Sequence, residues 1–344
     1  MTALHTGMNT AADVEAVEEI MRRGGPVLRA RMARTETHLE QVTAEAGIPL
    51  ASYATATIAA GGKRLRPLLV VLAAESVGGP GEEPEGELSI VRAAVAVELV
   101  HSATLVHDDL IDGARLRRGR PTVAAVAGRK TAIATGDLLF SRAFAELARN
   151  RDLEQLRALS DASSALAAGE LLQREDAYAS NVAVERYLER CRLKTAALFE
   201  AACRLGAQAS AGGTPEIASA LGEFAERIGL AFQLLDDVLD VSGPTQRTGK
   251  ARGTDLLDGT VTLPLILARE RDEQIASLDL TTLRDPDQAE TLCDRIAVTG
   301  ALEETRDRAL ALVAQAKAAL PGLLPDGRYV LLELVADAVV ERYC

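Results

Sequence analysis

Apolar residues recur at helical spacing through most of this chain. The interruptions are short clusters rich in Gly and Pro: GGPGEEPEGE at 78–87, ASAGGTP at 209–215, SGPTQRTGKARGT at 242–254 and LPGLLPDG at 320–327. The pattern reads as helices joined by loops. Thr214-Pro215-Glu216 has the makings of a helix start, with a hydroxyl cap, proline at the first helical position and a carboxylate near the positive end of the dipole; Asp285-Pro286 offers another. No strongly alternating run marks a strand, and no repeat with a period of roughly 20–50 residues stands out. Aromatics make up 3% of the chain and Trp is absent, which favours helices packed through small and aliphatic side chains. The expected fold is all-α, a single large helical domain of roughly ten or more helices. A loose tail over 1–12 precedes one domain over 13–344, since no linker long enough to divide it is visible.

The 344 residues and 48% hydrophobic content suffice for a substantial core. A net charge of −12 argues against a nucleic-acid partner, because phosphate backbones need a broad basic field. An anionic ligand must therefore be met by local positive charge. Cys191, Cys203, Cys293 and Cys344 show neither CxxC spacing nor the density of a disulfide scaffold, so a reducing cytoplasm is expected. The first residues lack the basic start and apolar stretch of a secretory signal, and no apolar run of roughly 18 residues is free of charge, so no transmembrane segment is expected.

The chemistry concentrates in LVHDDLIDGARLRRGRPT at 105–122. On a helix Asp108 and Asp112 share a face, while Asp109 lies about 100° round from Asp108. A solvated acidic helix end would read the same way, but Leu105, Val106, Leu110 and Ile111 are the neighbours of a buried helix. The DDxxD spacing then recurs in FQLLDDVLDVSG as Asp236, Asp237 and Asp240. Two acidic clusters on apolar helices are costly without a cation. Mg²⁺ is the natural remedy, because it takes one or two carboxylates, keeps several waters and completes its shell with phosphate oxygens. Two such clusters suggest a diphosphate held between them.

Positive charge is supplied by Lys63, Arg64 and Arg66 of GGKRLRP, and by Arg115, Arg117, Arg118 and Arg120 after the first acidic cluster. Either basic loop alone could be solvated surface; together, beside two acidic clusters, they point to phosphate binding. HExxH, GxSxG and Walker A patterns are absent, which removes zinc hydrolysis and P-loop chemistry. Among the histidines, His101 stands about two turns before Asp108 on the same face. A satisfied core histidine remains the alternative for it, and is the favoured reading for His107.

These pieces, with GDLLFSRAF, GELLQRED, LKTAALFEAA and GKARGTDLLDGTVTLP in order, resemble the trans-polyprenyl diphosphate synthase family over nearly the whole chain. The resemblance implies a deep central cavity with both aspartate motifs at its mouth, and a homodimer. It implies Asp108, Asp112 and Asp236 as the main Mg²⁺ ligands, assisted by Asp109, Asp237 and Asp240, with roughly three Mg²⁺ ions per active site. Lys63, Arg66, His101 and Arg118 would bind isopentenyl diphosphate. Arg117, Lys194, Thr195, Gln233 and Lys250 would hold an allylic prenyl diphosphate, with Lys194, Thr195 and Gln233 closest to the chemistry. Many family members carry Lys where Thr260 stands, so Thr260 is assigned no role. The Gly- and Thr-rich stretch around 242–262 reads as a lid.

Each helical turn descends about 5.4 Å, so Val100, Ala103 and Thr104 would line the wall below the reacting carbon. All three are compact, and the stretch resembles long-chain members making products of about C30 to C50; the alternative product is geranylgeranyl diphosphate (C20), and ordinary packing also favours small residues there. Such a greasy product could draw the protein to a membrane surface. Two rival functions are a terpene cyclase, disfavoured by the scarcity of aromatics and the repeated aspartates, and an inert regulatory subunit of a heteromeric synthase, disfavoured because both acidic motifs are intact.

Overall fold

The computed structural model describes residues 11–45, 50–81, 84–243, 252–324 and 327–341. The all-α expectation holds. The helices are α1 (Ala11–Arg23), α2 (Gly25–Ala44), α3 (Leu50–Ala59), α4 (Leu65–Ser76), α5 (Pro84–Ile111), α6 (Val123–Ala148), α7 (Leu153–Glu175), α8 (Val184–Cys191), α9 (Ala197–Gln208), α10 (Pro215–Ser242), α11 (Thr254–Leu257), α12 (Leu263–Arg271), α13 (Glu273–Ala276), α14 (Pro286–Ala297), α15 (Ala301–Leu323) and α16 (Val330–Glu341). A π-helical turn, Arg192–Ala196, joins α8 to α9, and a 3₁₀ turn covers Leu280–Thr282. Among the described residues, β structure is confined to an antiparallel ribbon of β1 (Leu116–Arg117) and β2 (Arg120–Pro121).

Local chemistry explains the boundaries. The Thr214 hydroxyl accepts the Ile217 N–H at 3.3 Å to start α10, and Asp285 accepts the Asp287 N–H at 3.0 Å to start α14. Thr122 caps α6 through the Ala125 N–H at 3.2 Å, and Gly128, at φ 80°, breaks that helix near its start. Two of the expected loops are shorter than their Gly/Pro clusters. Helix α5 begins at Pro84, where a missing N–H costs nothing. Helix α15 continues through Pro321 to Leu323, carrying the proline in its last turn.

The described residues group into two compact units. The first comprises the residues through Ser163 together with Leu198–Gly222 and Pro321–Leu334. Its spine is α5, which packs against α2, α3, α4 and α6. Ala93 to Val97, Leu99 and Val100 have no exposed surface, as expected of a helix apolar on all sides. By length and composition α5 could cross a membrane, but 72% of its most apolar window is buried within the protein, and Arg92 and Glu98 interrupt it. It is a core helix.

The second unit comprises Ser164–Ala197, Glu223–Leu320 and the residues from Val335 onward. Helix α12 packs against α8 and α14, burying Leu263 to Ala268. The later part of α10 contributes Phe224, Ile228, Leu234, Leu235 and Val238 to this core. Cys191 and Cys293 are buried free thiols of this unit, and Cys203 is one of the first.

Within the first unit α4 and α9 meet backbone to backbone. A Cβ on Gly206 would stand 2.1 Å from the Val70 carbonyl oxygen, so no larger residue fits without separating the helices. Gly206→Ala is expected to cost about 1–3 kcal/mol and lower the thermal midpoint by several degrees. A calorimetric scan with an unchanged midpoint would contradict the close contact.

Candidate functional site

In the first unit the acidic motif closes α5. The Asp112 N–H donates to the Asp108 carbonyl at 2.8 Å and the Ala114 N–H to the Asp109 carbonyl at 2.9 Å, so the helix unwinds directly after the motif. The Asp108 side chain is half-buried, Asp109 is buried and Asp112 exposed. Burial raises the Asp109 carboxyl above its ordinary pKa, and the Arg117 guanidinium opposes that rise by donating from Nε at 2.6 Å. Two expected site residues are thus paired with each other. The ribbon that carries Arg117 also presents Arg118 at φ 53°, a left-handed conformation that a non-glycine residue adopts at a cost of roughly 1–2 kcal/mol.

The basic loop before α4 lies against this ribbon. A Cβ on Gly62 would stand 2.8 Å from an Arg118 guanidinium nitrogen, so the bare glycine backbone packs on that cation. The Arg66 guanidinium lies over the Phe199 ring, 4.8 Å from its centroid. His101 answers to the same group: burial first, then Arg66, Arg118, Arg117 and Arg64, push its pKa well below the usual value. It is a neutral imidazole in a cationic surround, able to donate one hydrogen bond to an anion without carrying charge. Lys63 is half-buried in the same loop. His107 is also half-buried: its Nε2 lies 3.3 Å from the Ile133 carbonyl oxygen and 3.6 Å from Asp137, beside Gly136, where a Cβ would collide with the ring. Of the three expected wall residues, Val100 and Ala103 have no exposed surface, whereas Thr104 is half-buried and spends its hydroxyl on the His101 carbonyl at 2.8 Å, presenting no free donor.

The second unit holds a cavity of about 180 Å³. Lys194, Thr195, Gln233, Asp237, Asp255 and Thr260 are among its lining residues. Thr195 Oγ1 donates to Gln233 Oε1 at 2.8 Å, Gln233 Nε2 donates to Asp237 Oδ1 at 2.8 Å, and the Tyr187 hydroxyl donates to Asp237 Oδ2 at 2.6 Å. This chain gathers three expected site residues and one that the sequence did not announce. Burial, then the neighbouring Asp255 carboxylate, raises the Asp237 pKa far above the carboxylate range; the Tyr187 and Gln233 hydrogen bonds and Arg190 counteract them. Lys194 Nζ is ion-paired with Glu170 of GELLQRED. The Asp240 carboxylate accepts the Asp255 N–H at 3.2 Å, and Asp236 is half-buried on the same helix. Lys250 lies outside the described residues, as does part of the 242–262 stretch.

Lys194 and Thr195 owe their places to the π turn. A Cβ on Gly169 of α7 would stand 2.4 Å from the Lys194 backbone nitrogen, so α7 and the turn meet without an intervening side chain. Arg190 ties the floor together: its Nη2 donates to the Val261 carbonyl at 2.5 Å and its Nη1 to Asp176 at 3.4 Å. Tyr187, Arg190 and Asp255 are the residues that sequence reasoning missed. Asp255 had a visible signal, a carboxylate inside GKARGTDLLDGTVTLP; Tyr187 and Arg190 had none, because their partners are distant in the chain.

The donor set suits a hard divalent cation. The candidate ligands are all carboxylate oxygens, and two pairs, Asp108 with Asp112 and Asp236 with Asp240, are spaced one turn apart. Among the described residues no three His, Cys, Asp or Glu side chains converge as a ready cage. Mg²⁺ tolerates this arrangement, since water and phosphate oxygens fill most of its shell.

Residues 49–297 match the pattern of the polyprenyl synthetase family. Over 278 residues the chain is 38% identical to heptaprenyl diphosphate synthase component 2 of Geobacillus stearothermophilus, covering 80% of this chain and 82% of that one. Geranylgeranyl diphosphate synthase of Methanosarcina mazei is 36% identical over 290 residues, 82% of this chain and 86% of that one. A crystal structure of a polyprenyl synthase from Caulobacter crescentus, complexed with calcium and isoprenyl diphosphate, superposes with a TM-score of 0.85 at 34% identity, covering 95% of this chain and 98% of that one.

Gly169→Ala tests the second-unit geometry. The added methyl displaces the Lys194 backbone, and turnover is expected to fall at least about tenfold with a stability loss of about 1–3 kcal/mol. Steady-state kinetics at a temperature where the variant remains folded decide the matter; wild-type turnover would contradict the placement.

Proposed function

This chain belongs to the polyprenyl synthetase family and is a prenyl diphosphate synthase, and from that premise we propose that it is a Mg²⁺-dependent enzyme adding isopentenyl diphosphate head-to-tail to an allylic diphosphate, up to a long all-trans chain. The observation that carries the anion-binding part is the basic loop packed on the ribbon, Gly62 against the Arg118 guanidinium with Arg117 next to it, in an otherwise acidic protein. In this reading Lys63, Arg66, Arg118 and His101 hold the diphosphate of isopentenyl diphosphate. Arg117, Lys194, Thr195, Gln233 and Lys250 hold that of the allylic substrate. Asp108, Asp112 and Asp236 are the metal ligands, with Asp109, Asp237 and Asp240 assisting. Mg²⁺ bound there supplies Lewis-acid neutralisation of the leaving diphosphate.

The allylic C–O bond breaks heterolytically and diphosphate leaves with the electron pair. The π electrons of the isopentenyl double bond then form the new C–C bond at the allylic carbon, and a proton lost to the released diphosphate regenerates an allylic product one unit longer. The protein's task is to orient two diphosphates and stabilise charge on the departing one. Lys194 and Thr195 do so beside the reacting carbon without acting as nucleophiles. Before substrate binds, Glu170 neutralises the Lys194 ammonium; an incoming diphosphate must compete with that carboxylate for it. Asp237, held by Tyr187 and Gln233, fixes the Gln233 amide toward Thr195.

Residues 13–344 form the synthase in this account, which works as a homodimer in the cytoplasm and approaches a membrane surface through its product. The long-chain assignment, about C30 to C50, rests on the small side chains one and two turns before Asp108. Thr104 is the sharper probe of that wall, because it alone of the three keeps accessible surface. The purified chain alone, given Mg²⁺, labelled isopentenyl diphosphate and farnesyl or geranylgeranyl diphosphate, is expected to yield a ladder ending at about six or more isoprene units, and Thr104→Phe to shorten it by at least one unit. Chromatography of the dephosphorylated products reads both. Termination at four units makes it a geranylgeranyl diphosphate synthase; no extension with any primer makes it a subunit that needs a partner; an unchanged ladder in the variant contradicts the wall.

A further inference from the structure

Arg64 stands between Lys63 and Arg66 in GGKRLRP, yet all three of its guanidinium nitrogens donate within the protein. Its Nε donates to Glu36 Oε1 at 2.6 Å, its Nη1 to Glu98 Oε1 at 2.7 Å, and its Nη2 to Glu36 Oε2 at 3.3 Å and to the Ile58 carbonyl at 2.9 Å. These partners come from α2, α5 and the end of α3, so one side chain ties three helices to the loop. Arg64 also adopts φ 49°, a left-handed conformation, and its carbonyl accepts the Leu68 N–H at 2.9 Å as the first bond of α4. Gly61 and Gly62, at φ 78° and 153°, complete a loop whose path nothing in its own conformational preference maintains.

We propose that Arg64, clamped by Glu98 and Glu36, is a positioning residue for the isopentenyl diphosphate site, holding the 61–64 loop and the start of α4 so that Lys63, Arg66 and Arg118 are in place before substrate arrives. The inference rests on the assignment of Lys63 and Arg66 to that diphosphate. Glu98 is the inner anchor: its side chain is 5% exposed, against 40% for Glu36, so the Arg64–Glu98 pair is poorly screened by solvent while the Glu36 pair is weakened by it. Glu98 lies one turn before His101 on α5, so the clamp fastens the loop to the helix that carries the imidazole. The same carboxylate faces Arg118, where it counters the mutual repulsion of Arg118 with Arg64 and Arg117. Gly62, packed on the Arg118 guanidinium, passes any shift of the loop to that cation.

A positioning role and a simple field effect predict opposite results. Arg64→Lys keeps the charge but cannot span two carboxylates and a carbonyl. Glu98→Gln removes a negative charge, which by field alone would tighten binding of an anion. If the clamp positions the site, both variants raise KM for isopentenyl diphosphate at least about fivefold, while KM for the allylic substrate and kcat change less than about twofold. Lys63→Ala serves as the reference: if it leaves KM for isopentenyl diphosphate unchanged, the underlying site assignment fails; if it raises KM while Arg64→Lys and Glu98→Gln do not, only the clamp fails. Should Arg64→Lys not fold, Glu36→Gln, which removes the exposed partner, carries the test, and a folded Glu36→Gln and Glu98→Gln with wild-type KM overturn the proposal. Lowered thermal midpoints with unchanged KM assign Arg64 to stability alone and likewise overturn it.

Discussion

Charge taken out of water must be paired, neutralised or met by a cation, and that constraint organises the buried polar groups of each unit. On α5, Asp109 is buried and draws in Arg117, while Glu98 is buried and holds Arg64. On α10, Asp237 is buried with Asp255 nearby, and it is met by Tyr187 and Gln233, hydrogen-bond donors that carry no charge. His101 resolves the same problem by remaining neutral among arginines. The ion pairs and hydrogen bonds also orient the groups they satisfy, so the cost of burial is converted into fixed direction.

Close backbone contact supplies the second kind of order. Gly169 lets α7 touch the π turn that carries Lys194 and Thr195, and Gly62 lets the basic loop rest on Arg118. Neither glycine is needed for chemistry. Both are needed because a methyl group would displace a charged side chain from its station, and electrostatic catalysis depends on charges already in place.

Much of this was legible in the sequence, for reasons that can be named. The helices follow from apolar spacing, and the caps at Thr214 and Asp285 from residues that bond their own neighbours. The two acidic motifs and the basic loops are local clusters, visible without knowing the fold. What the sequence withheld depends on partners far apart in the chain. Tyr187 sits in VERYLERC as an ordinary helix residue, and its bond to Asp237 spans 50 positions. Arg64 reads as one more positive charge until Glu98, 34 positions away, is brought beside it. Lys194 reads as a phosphate ligand, and only packing reveals Glu170 as its resting partner. The LPGLLPDG cluster reads as a loop from Leu320, whereas α15 runs on through Pro321 to Leu323.

In the proposed function the acidic motifs serve a metal that arrives with, and is completed by, a diphosphate. The direct test is calorimetric titration of the protein with Mg²⁺, alone and with a non-ionisable thio analogue of an allylic diphosphate. Weak Mg²⁺ binding to the protein alone is expected, tightened at least about tenfold by the analogue, with the reciprocal gain in analogue affinity when Mg²⁺ is present. Equal Mg²⁺ affinity with and without the analogue, or equal analogue affinity in the presence of a chelator, would contradict it.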